Sequence, residues 1–172
     1  MDVDQVVLVT TDNEEFVVDD KLIYFSQTLK SLFENVDKNS SDKKISLPNI
    51  TGEIMKSIIK WCQYHYDHED ELNLFSGITE NGYWNISPWN QQFFQTEIEK
   101  IILIYLAADH LHIQPLLDVT AKVFVNRGRF KTPDEIREEF SILDDLTEKQ
   151  KKEIEQNENN WCLIHPEDLP KL

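Results

Sequence analysis

The sequence predicts an α+β fold in which a small three-stranded sheet is followed by helices. Three observations support it. Short β-branched runs lie within the first fifty residues, a strongly apolar helical stripe lies near residue 100, and two helix-start patterns mark the last quarter. Strands gathered at one end of a chain and helices at the other are typical of α+β domains.

The predicted sheet begins with a hairpin. Residues 6–10 form a β-branched run, a polar turn follows, and residues 16–18 form the second run. The third strand is ISLPNI at 45–50, and Pro48 ends it because proline has no amide donor for a ladder. Between the second and third strands, helical spacing of apolar residues predicts one helix, through Leu29, Leu32, Phe33 and Val36.

A second helix is predicted over about 52–66, and the stretch 67–85 that follows is acidic and rich in Asn and Gly. It has no sustained period, so we expect a mobile surface loop. Its apolar residues have two interpretations: a short partner-binding motif, or an insertion whose Trp84 folds back near Trp89. We favour the insertion. These residues are Leu72, Leu74, Phe75, Tyr83 and Trp84.

The second half of the chain is predicted to be helical. Residues 98–106 are apolar nearly all round a helix, which predicts a central, buried helix. The next helix runs over about 114–126, with Pro115 in its first turn. Capping boxes at Thr132-Pro133-Asp134-Glu135 and Thr147-Glu148-Lys149-Gln150 predict helices that start at about 133 and 148, the second ending near Trp161.

Composition excludes several classes of function. A chain of 172 residues makes one domain, or one domain with an appendage. Its net charge of -15 repels phosphate backbones, so we expect no nucleic-acid partner. No apolar run approaches the roughly 20 residues of a membrane span. The acidic start MDVDQ is unlike a secretory signal, and two cysteines suit a reducing compartment, so we expect the cytoplasm and nucleus.

Eight sequence segments, taken in their order along the chain, are specific enough to identify a family. They are FVVDDKL, ISLPNI, IIKWCQYH, PWNQQFF, LAADHLHI, LLDVTAKV, KTPDEIREEFSI and NENNWC. Together they resemble the S-phase kinase-associated protein 1 family, the F-box adaptors of SCF ubiquitin ligases. The resemblance leaves out only the loops at 37–44 and 67–85 and the tail after Cys162. It implies a BTB/POZ-like domain over 1–126, with the loop at 67–85, and a C-terminal helical extension over 127–172.

The resemblance also implies a function. The family is a scaffold without catalytic residues or cofactors: its BTB part docks on a cullin, and its C-terminal helices hold an F-box protein. Weak homodimers are expected when the F-box surface is free. An alternative within the same resemblance is an F-box partner that acts outside the ligase, for example in a kinetochore or vacuolar assembly. A further alternative is a self-associating BTB protein of the transcription-factor type.

Site residues follow from the resemblance position by position. The implied F-box surface comprises Leu117, Ala121, Phe124, Ile136, Phe140, Ile142 and Trp161. For Phe124 and Ile136, ordinary helix packing is an equal alternative. The implied cullin surface comprises Asp109 and His110, where the family usually has Asn-Tyr. The segment Arg127-Gly128-Arg129-Phe130 also departs from the family, and we expect Gly128 to end its helix early and Phe130 to replace an aliphatic contact.

A metal-dependent enzyme is the remaining alternative. Cys62, His65 and His68 have the spacing C-x2-H-x2-H, but zinc needs three or four ligands and only loop carboxylates lie nearby. We favour one buried cysteine and two surface histidines. The four glycines form no phosphate-binding loop, and no G-x-S-x-G nucleophile motif occurs. The sequence therefore predicts no metal, no cofactor and no catalytic residue.

Overall fold

A computed structural model describes residues 7–17, 20–35, 44–75 and 77–161. The chain divides into two compact units, Met1–Thr132 and Pro133–Leu172. The domain boundary inferred at 126/127 stays a prediction. Among the described residues, no helix combines the length and apolar character that a membrane crossing requires.

The sheet has three strands, β1 (Val7–Thr10), β2 (Glu15–Val17) and β3 (Lys44–Leu47), in the order β2-β1-β3. The central strand β1 is antiparallel to β2, with Leu8 opposite Phe16, and parallel to β3, with Leu8 opposite Ile45. A parallel pair needs a crossover connection, which the helices between β2 and β3 provide. The predicted α+β fold is confirmed.

Two helices lie between β2 and β3 where the sequence predicted one: α1 (Asp20–Phe25) and α2 (Gln27–Asn35). Helix α1 packs against the helix after β3 and buries Leu22 and Phe25. Six residues with two buried side chains are too few to show a helical period, so α1 was missed. Ser26 separates the two helices, and its hydroxyl accepts a hydrogen bond from the amide of Leu29 at 3.1 Å.

Helix α3 (Gly52–Asp67) confirms the helix predicted over about 52–66, and it forms the centre of the core. One face of it is fully buried, since apolar residues recur along it at helical spacing. The buried side chains are Ile54, Met55, Ile58, Trp61 and Cys62.

The stretch predicted as a mobile loop contains regular structure. Helix α4 (Asp70–Leu74) follows α3 directly, and an isolated antiparallel bridge joins Ile78 to Trp84. Helix α5 (Pro88–Phe93) then begins at a proline, and its N-cap Ser87 accepts a hydrogen bond from the amide of Asn90 at 3.2 Å.

Helices α6 (Ile98–His110) and α7 (Gln114–Gly128) complete the first unit and pack against each other. The expectation that α6 is buried all round is wrong: Leu103, Tyr105 and Leu106 are exposed. Neighbouring elements cover only the face of α6 that carries Ile101, Ile104 and Ala108. The next helix, predicted over about 114–126 with an early end at the glycine, runs further than predicted and includes Gly128 as its last residue.

The second unit contains α8 (Pro133–Glu139) and α9 (Glu148–Trp161), and both predicted starting points are confirmed. At the start of α9, the Thr147 amide donates to Oε1 of Gln150 at 2.9 Å. The amide of Gln150 donates back to the Thr147 hydroxyl at 3.4 Å. These reciprocal bonds form the predicted capping box.

Candidate protein-interaction surfaces

An exposed apolar face lies along α6. Leu103 is 50% exposed and Leu106 is 56% exposed, although both belong to the most apolar helix of the chain. They border a groove of about 360 Å³ between α6 and the start of α3, which Ile50, Thr51 and Ile54 also line. Adjoining exposed leucines beside a groove are typical of a surface that another protein covers.

Asp109 and His110, the residues inferred for cullin binding, lie at the rim of this same groove. Both side chains are exposed at the end of α6. Two hydrogen bonds hold the backbone at the end of α6. The hydroxyl of Thr28 donates to the His110 carbonyl at 3.1 Å, and the hydroxyl of Ser26 donates to the Leu111 carbonyl at 2.6 Å. The structure therefore places Asp109 and His110 beside Leu103 and Leu106 around one groove, on a helix whose end is held by hydrogen bonds.

Helix α7 carries the first group of inferred F-box residues. Ala121 is exposed, while Leu117 and Phe124 are half-buried. The Phe124 ring meets the ring of Tyr105 on α6 edge to face, with centroids 5.8 Å apart. Phe124 thus packs between helices and remains partly accessible. Helix packing and F-box binding are therefore both compatible with its position.

The C-terminal unit carries the second group of inferred F-box residues. Ile136 and Phe140 are half-buried, and Ile142 is 54% exposed. Trp161 is the last residue of α9, and its side chain lies outside the described part of the structure.

Sequence reasoning missed several exposed apolar residues near the inferred ones. They are Leu103 and Leu106 on α6 and Leu143 after α8, which is 86% exposed. The only sequence feature that could have found the α6 pair is the uninterrupted apolar character of 101–106, which we assigned to burial. A helix apolar on every side can be covered on one side by its own chain and on the other by a partner.

The Cys62, His65 and His68 cluster is not arranged as a metal site. Cys62 is buried, and burial raises the pKa of its thiol to about 12. Nε2 of His65 lies 3.2 Å from Oδ1 of Asn90, and Nδ1 of His68 lies 2.9 Å from the Tyr64 carbonyl. Across the described residues, no group of three or more His, Cys, Asp or Glu side chains converges as metal ligands would. His65 is buried, contrary to the expectation of two surface histidines.

The segment after α4 is attached to α7. Asn126 forms two hydrogen bonds with the backbone of Trp84: Oδ1 accepts from the amide at 2.7 Å, and Nδ2 donates to the carbonyl at 2.8 Å. One turn earlier, Nζ of Lys122 donates to the Phe75 carbonyl at 3.0 Å. These bonds attach the Trp84 backbone to α7, and the expected proximity of Trp84 to Trp89 stays a prediction.

Comparison with known proteins agrees with this architecture. The model of the Skp1 family tetramerisation domain matches residues 4–67, and that of the Skp1 family dimerisation domain matches residues 114–162. The first spans the sheet through α3, and the second begins with α7.

Individual relatives match nearly the whole chain. It is 32% identical to the suppressor of kinetochore protein 1 of Schizosaccharomyces pombe, over 92% of this chain and 97% of that protein. It is 33% identical to the SCF ubiquitin ligase complex proteins SKP1a and SKP1b of Dictyostelium discoideum, over 91% of this chain and 94% of each relative. Identity at this level over such coverage shows that the chain belongs to the Skp1 family.

Proposed function

We propose that this chain is the adaptor subunit of an SCF-type ubiquitin ligase, bridging F-box substrate receptors to a cullin scaffold. The observation that carries the proposal is the coverage of the match to relatives named as SCF ubiquitin ligase complex proteins, which spans 91% of this chain. The matched region is therefore long enough to include both a cullin-binding surface and an F-box-binding surface.

The adaptor acts by position and not by chemistry. Holding a receptor and a scaffold together raises the effective concentration of a bound substrate near the ubiquitin-loaded enzyme. No side chain needs to react for this purpose, and we assign no catalytic residue and no cofactor.

For the cullin, we assign the α6 edge with Asp109, His110, Leu103 and Leu106. Two exposed leucines supply apolar area at the centre, and the two polar side chains lie at its rim, as in many protein interfaces. Histidine donates and accepts hydrogen bonds but offers a smaller ring than the tyrosine usual at this position of the family.

For the F-box, we assign Leu117, Ala121 and Phe124 of α7 and the C-terminal residues Ile136, Phe140, Ile142 and Trp161. The accessible apolar area of the six residues other than Trp161 supports the assignment, since large aromatic and aliphatic side chains anchor interfaces. We also expect weak homodimers of the free chain through this apolar area, which an F-box would displace. We place the protein in the cytoplasm and nucleus.

The test is co-expression of the full chain with one F-box domain and one cullin N-terminal domain, followed by sizing of the products. A ternary complex that Trp161→Ala weakens supports both the adaptor role and the C-terminal surface. If the purified chain binds no F-box domain at micromolar concentration, the proposal is wrong.

A second candidate function is F-box binding outside the ligase. The relative named suppressor of kinetochore protein 1 and the Asp109-His110 pair favour it. In that case the same experiment gives a stable F-box complex from which the cullin domain is absent.

A further inference from the structure

Arg129, just after α7, has a guanidinium group without an acceptor. Within the described ranges it makes no hydrogen bond and no ion pair, and its Nε is buried without a partner. Its Cζ lies 5.1 Å from the centroid of the Phe130 ring. A buried donor without a partner is rare in folded proteins and calls for an explanation.

Phe130 beside it has an unusual backbone and an exposed ring. Its φ is +62°, in the left-handed region that bulky side chains rarely adopt, and its side chain is 74% exposed. The expectation that Phe130 fills an aliphatic contact is therefore wrong. The ring meets Tyr83 edge to face at 5.7 Å, and Tyr83 is itself 40% exposed.

The segment 77–85 holds these groups in place. The two bonds between Asn126 and the Trp84 backbone fix the segment to α7, one residue from Tyr83. Gly82 lies against the arginine, since a Cβ added to it would lie 2.9 Å from Nη2 of Arg129. Backbone strain held by a surrounding structure is common at ligand-binding sites.

We propose that Arg129, Phe130 and Tyr83 form a docking site for an acidic peptide segment of a partner protein. A partner carboxylate bonds to the Arg129 guanidinium, and an aromatic or large aliphatic side chain next to that carboxylate packs between the Phe130 and Tyr83 rings. We call these three residues the Arg129 site. The proposal goes beyond the adaptor function and does not rest on it.

Charge favours an acidic peptide. The whole chain carries a net charge of -15, yet residues 119–132 contain Lys122, Arg127, Arg129 and Lys131 and no acidic residue. A planar guanidinium matches one carboxylate in two parallel hydrogen bonds, and flanking rings accept an apolar neighbour. A nucleic acid would present many phosphates to the acidic remainder of the protein, which repels them.

The segment 77–85 also carries a charge that would oppose such a ligand. Glu80 is the only acidic residue between 77 and 85, and its side chain is exposed two residues from Gly82. Removing the charge of Glu80 should strengthen peptide binding, whereas changes to Arg129 and Phe130 should weaken it.

The probe is an array of fluorescein-labelled ten-residue peptides that combine Asp or Glu with Phe, Trp or Leu at varied spacings. Each acidic peptide has a control peptide in which Asn and Gln replace the acidic residues. A third set carries phosphoserine at the positions of the acidic residues. Binding to the full chain is measured by fluorescence anisotropy. We expect acidic-aromatic peptides to bind and their amide partners to bind at least about tenfold more weakly, as charge-assisted bonds require.

Four variants locate the binding. Arg129→Gln should weaken it at least about tenfold, and Arg129→Lys by less, because lysine keeps the charge and loses the planar fork. Phe130→Gly removes the ring and suits the positive φ, so it should weaken binding while leaving the fold intact. Glu80→Gln should strengthen binding. Lys60→Gln, which removes an equal charge from an exposed position on α3, is the control and should leave affinity within about twofold.

The outcomes are decisive in each direction. The proposal is overturned if no acidic peptide binds, if the amide or phosphoserine peptides bind equally well, or if Arg129→Gln and Lys60→Gln have equal effects. F-box binding is measured on the same variants. Loss of peptide binding with F-box binding retained supports a separate Arg129 site, whereas absence of F-box binding in the unaltered chain contradicts the adaptor proposal alone.

Discussion

Asn126 holds Trp84 by both of its backbone groups, with hydrogen bonds of 2.7 Å at the amide and 2.8 Å at the carbonyl. The Asn126 side chain thereby satisfies the two backbone groups that would otherwise bond to a neighbouring strand. The two residues are 42 positions apart in sequence, so the contact ties the segment after α4 to the C-terminal half of α7.

Asn126→Ala should release this segment locally. Both backbone groups of Trp84 lose a partly buried partner, which costs about 1–3 kcal/mol for each group left unsatisfied, less where water enters. We expect faster hydrogen exchange at the Trp84 amide and faster cleavage at Glu80 by a glutamate-specific protease.

The matched control is Asn81→Ala, in an exposed turn of the same segment. It should leave exchange at Trp84 unchanged. Equal exchange rates at Trp84 in the Asn126→Ala protein and the unaltered protein would contradict the attachment.

His65 should make stability fall as pH drops below neutrality. Burial lowers the pKa of His65, and the hydrogen bond to Asn90 and the nearby Glu71 carboxylate only partly oppose it. The unfolded chain then binds a proton more readily than the folded chain. Stability is full above the unfolded value of about 6.5 and is lost as pH falls from there toward the folded pKa.

Urea unfolding between pH 7.5 and 5.5 measures this dependence, and His65→Gln should flatten it even though the variant is less stable overall. Ile58→Val serves as the comparison, because it weakens the same helix from a fully buried position without removing a titrating group. An unchanged slope in His65→Gln would show that another group is responsible.

Cys62 should be unreactive in the folded protein. Burial raises the pKa of its thiol to about 12 and leaves the sulfur without solvent access. In a Cys162→Ser background, reaction with a thiol reagent at pH 8 should be at least about a hundredfold slower than in urea, since only an accessible thiolate reacts. Rapid labelling without urea would place Cys62 at the surface and contradict the packing of α3.

Leu106→Glu should separate the two proposed partners. Leu106 is 56% exposed, so a charge there should leave the melting temperature nearly unchanged. It should weaken cullin binding by at least about tenfold, because an uncompensated charge in an apolar interface is costly, and should leave F-box binding intact. Calorimetric titration with each domain distinguishes this result from a general loss of binding.

His110→Tyr should strengthen cullin binding by a few fold, because the larger ring adds contact area at the rim of the α6 groove. Surface plasmon resonance with an immobilised cullin domain measures the change. Asp118→Asn, an exposed change on α7, should have no effect on cullin affinity. A weaker complex with tyrosine would show that this chain has adapted to histidine at position 110.

The sequence by itself determined those features that depend on neighbours a few residues apart. The strands and the helix starts at Pro133 and Glu148 follow from β-branched runs and capping boxes, whose effects act within a few residues. The family was also readable from ordered segments along the chain, and the comparisons confirmed it.

Only the tertiary structure decided what depends on distant residues. It showed that α6 buries one apolar face and exposes the other, because coverage depends on where α3 and α7 lie and not on the composition of α6. It buried His65 beside Asn90, attached Trp84 to Asn126, and set Arg129 and Phe130 against the segment 77–85. Each of these contacts joins parts of the chain that are at least 25 residues apart, and no local spacing in the sequence records them.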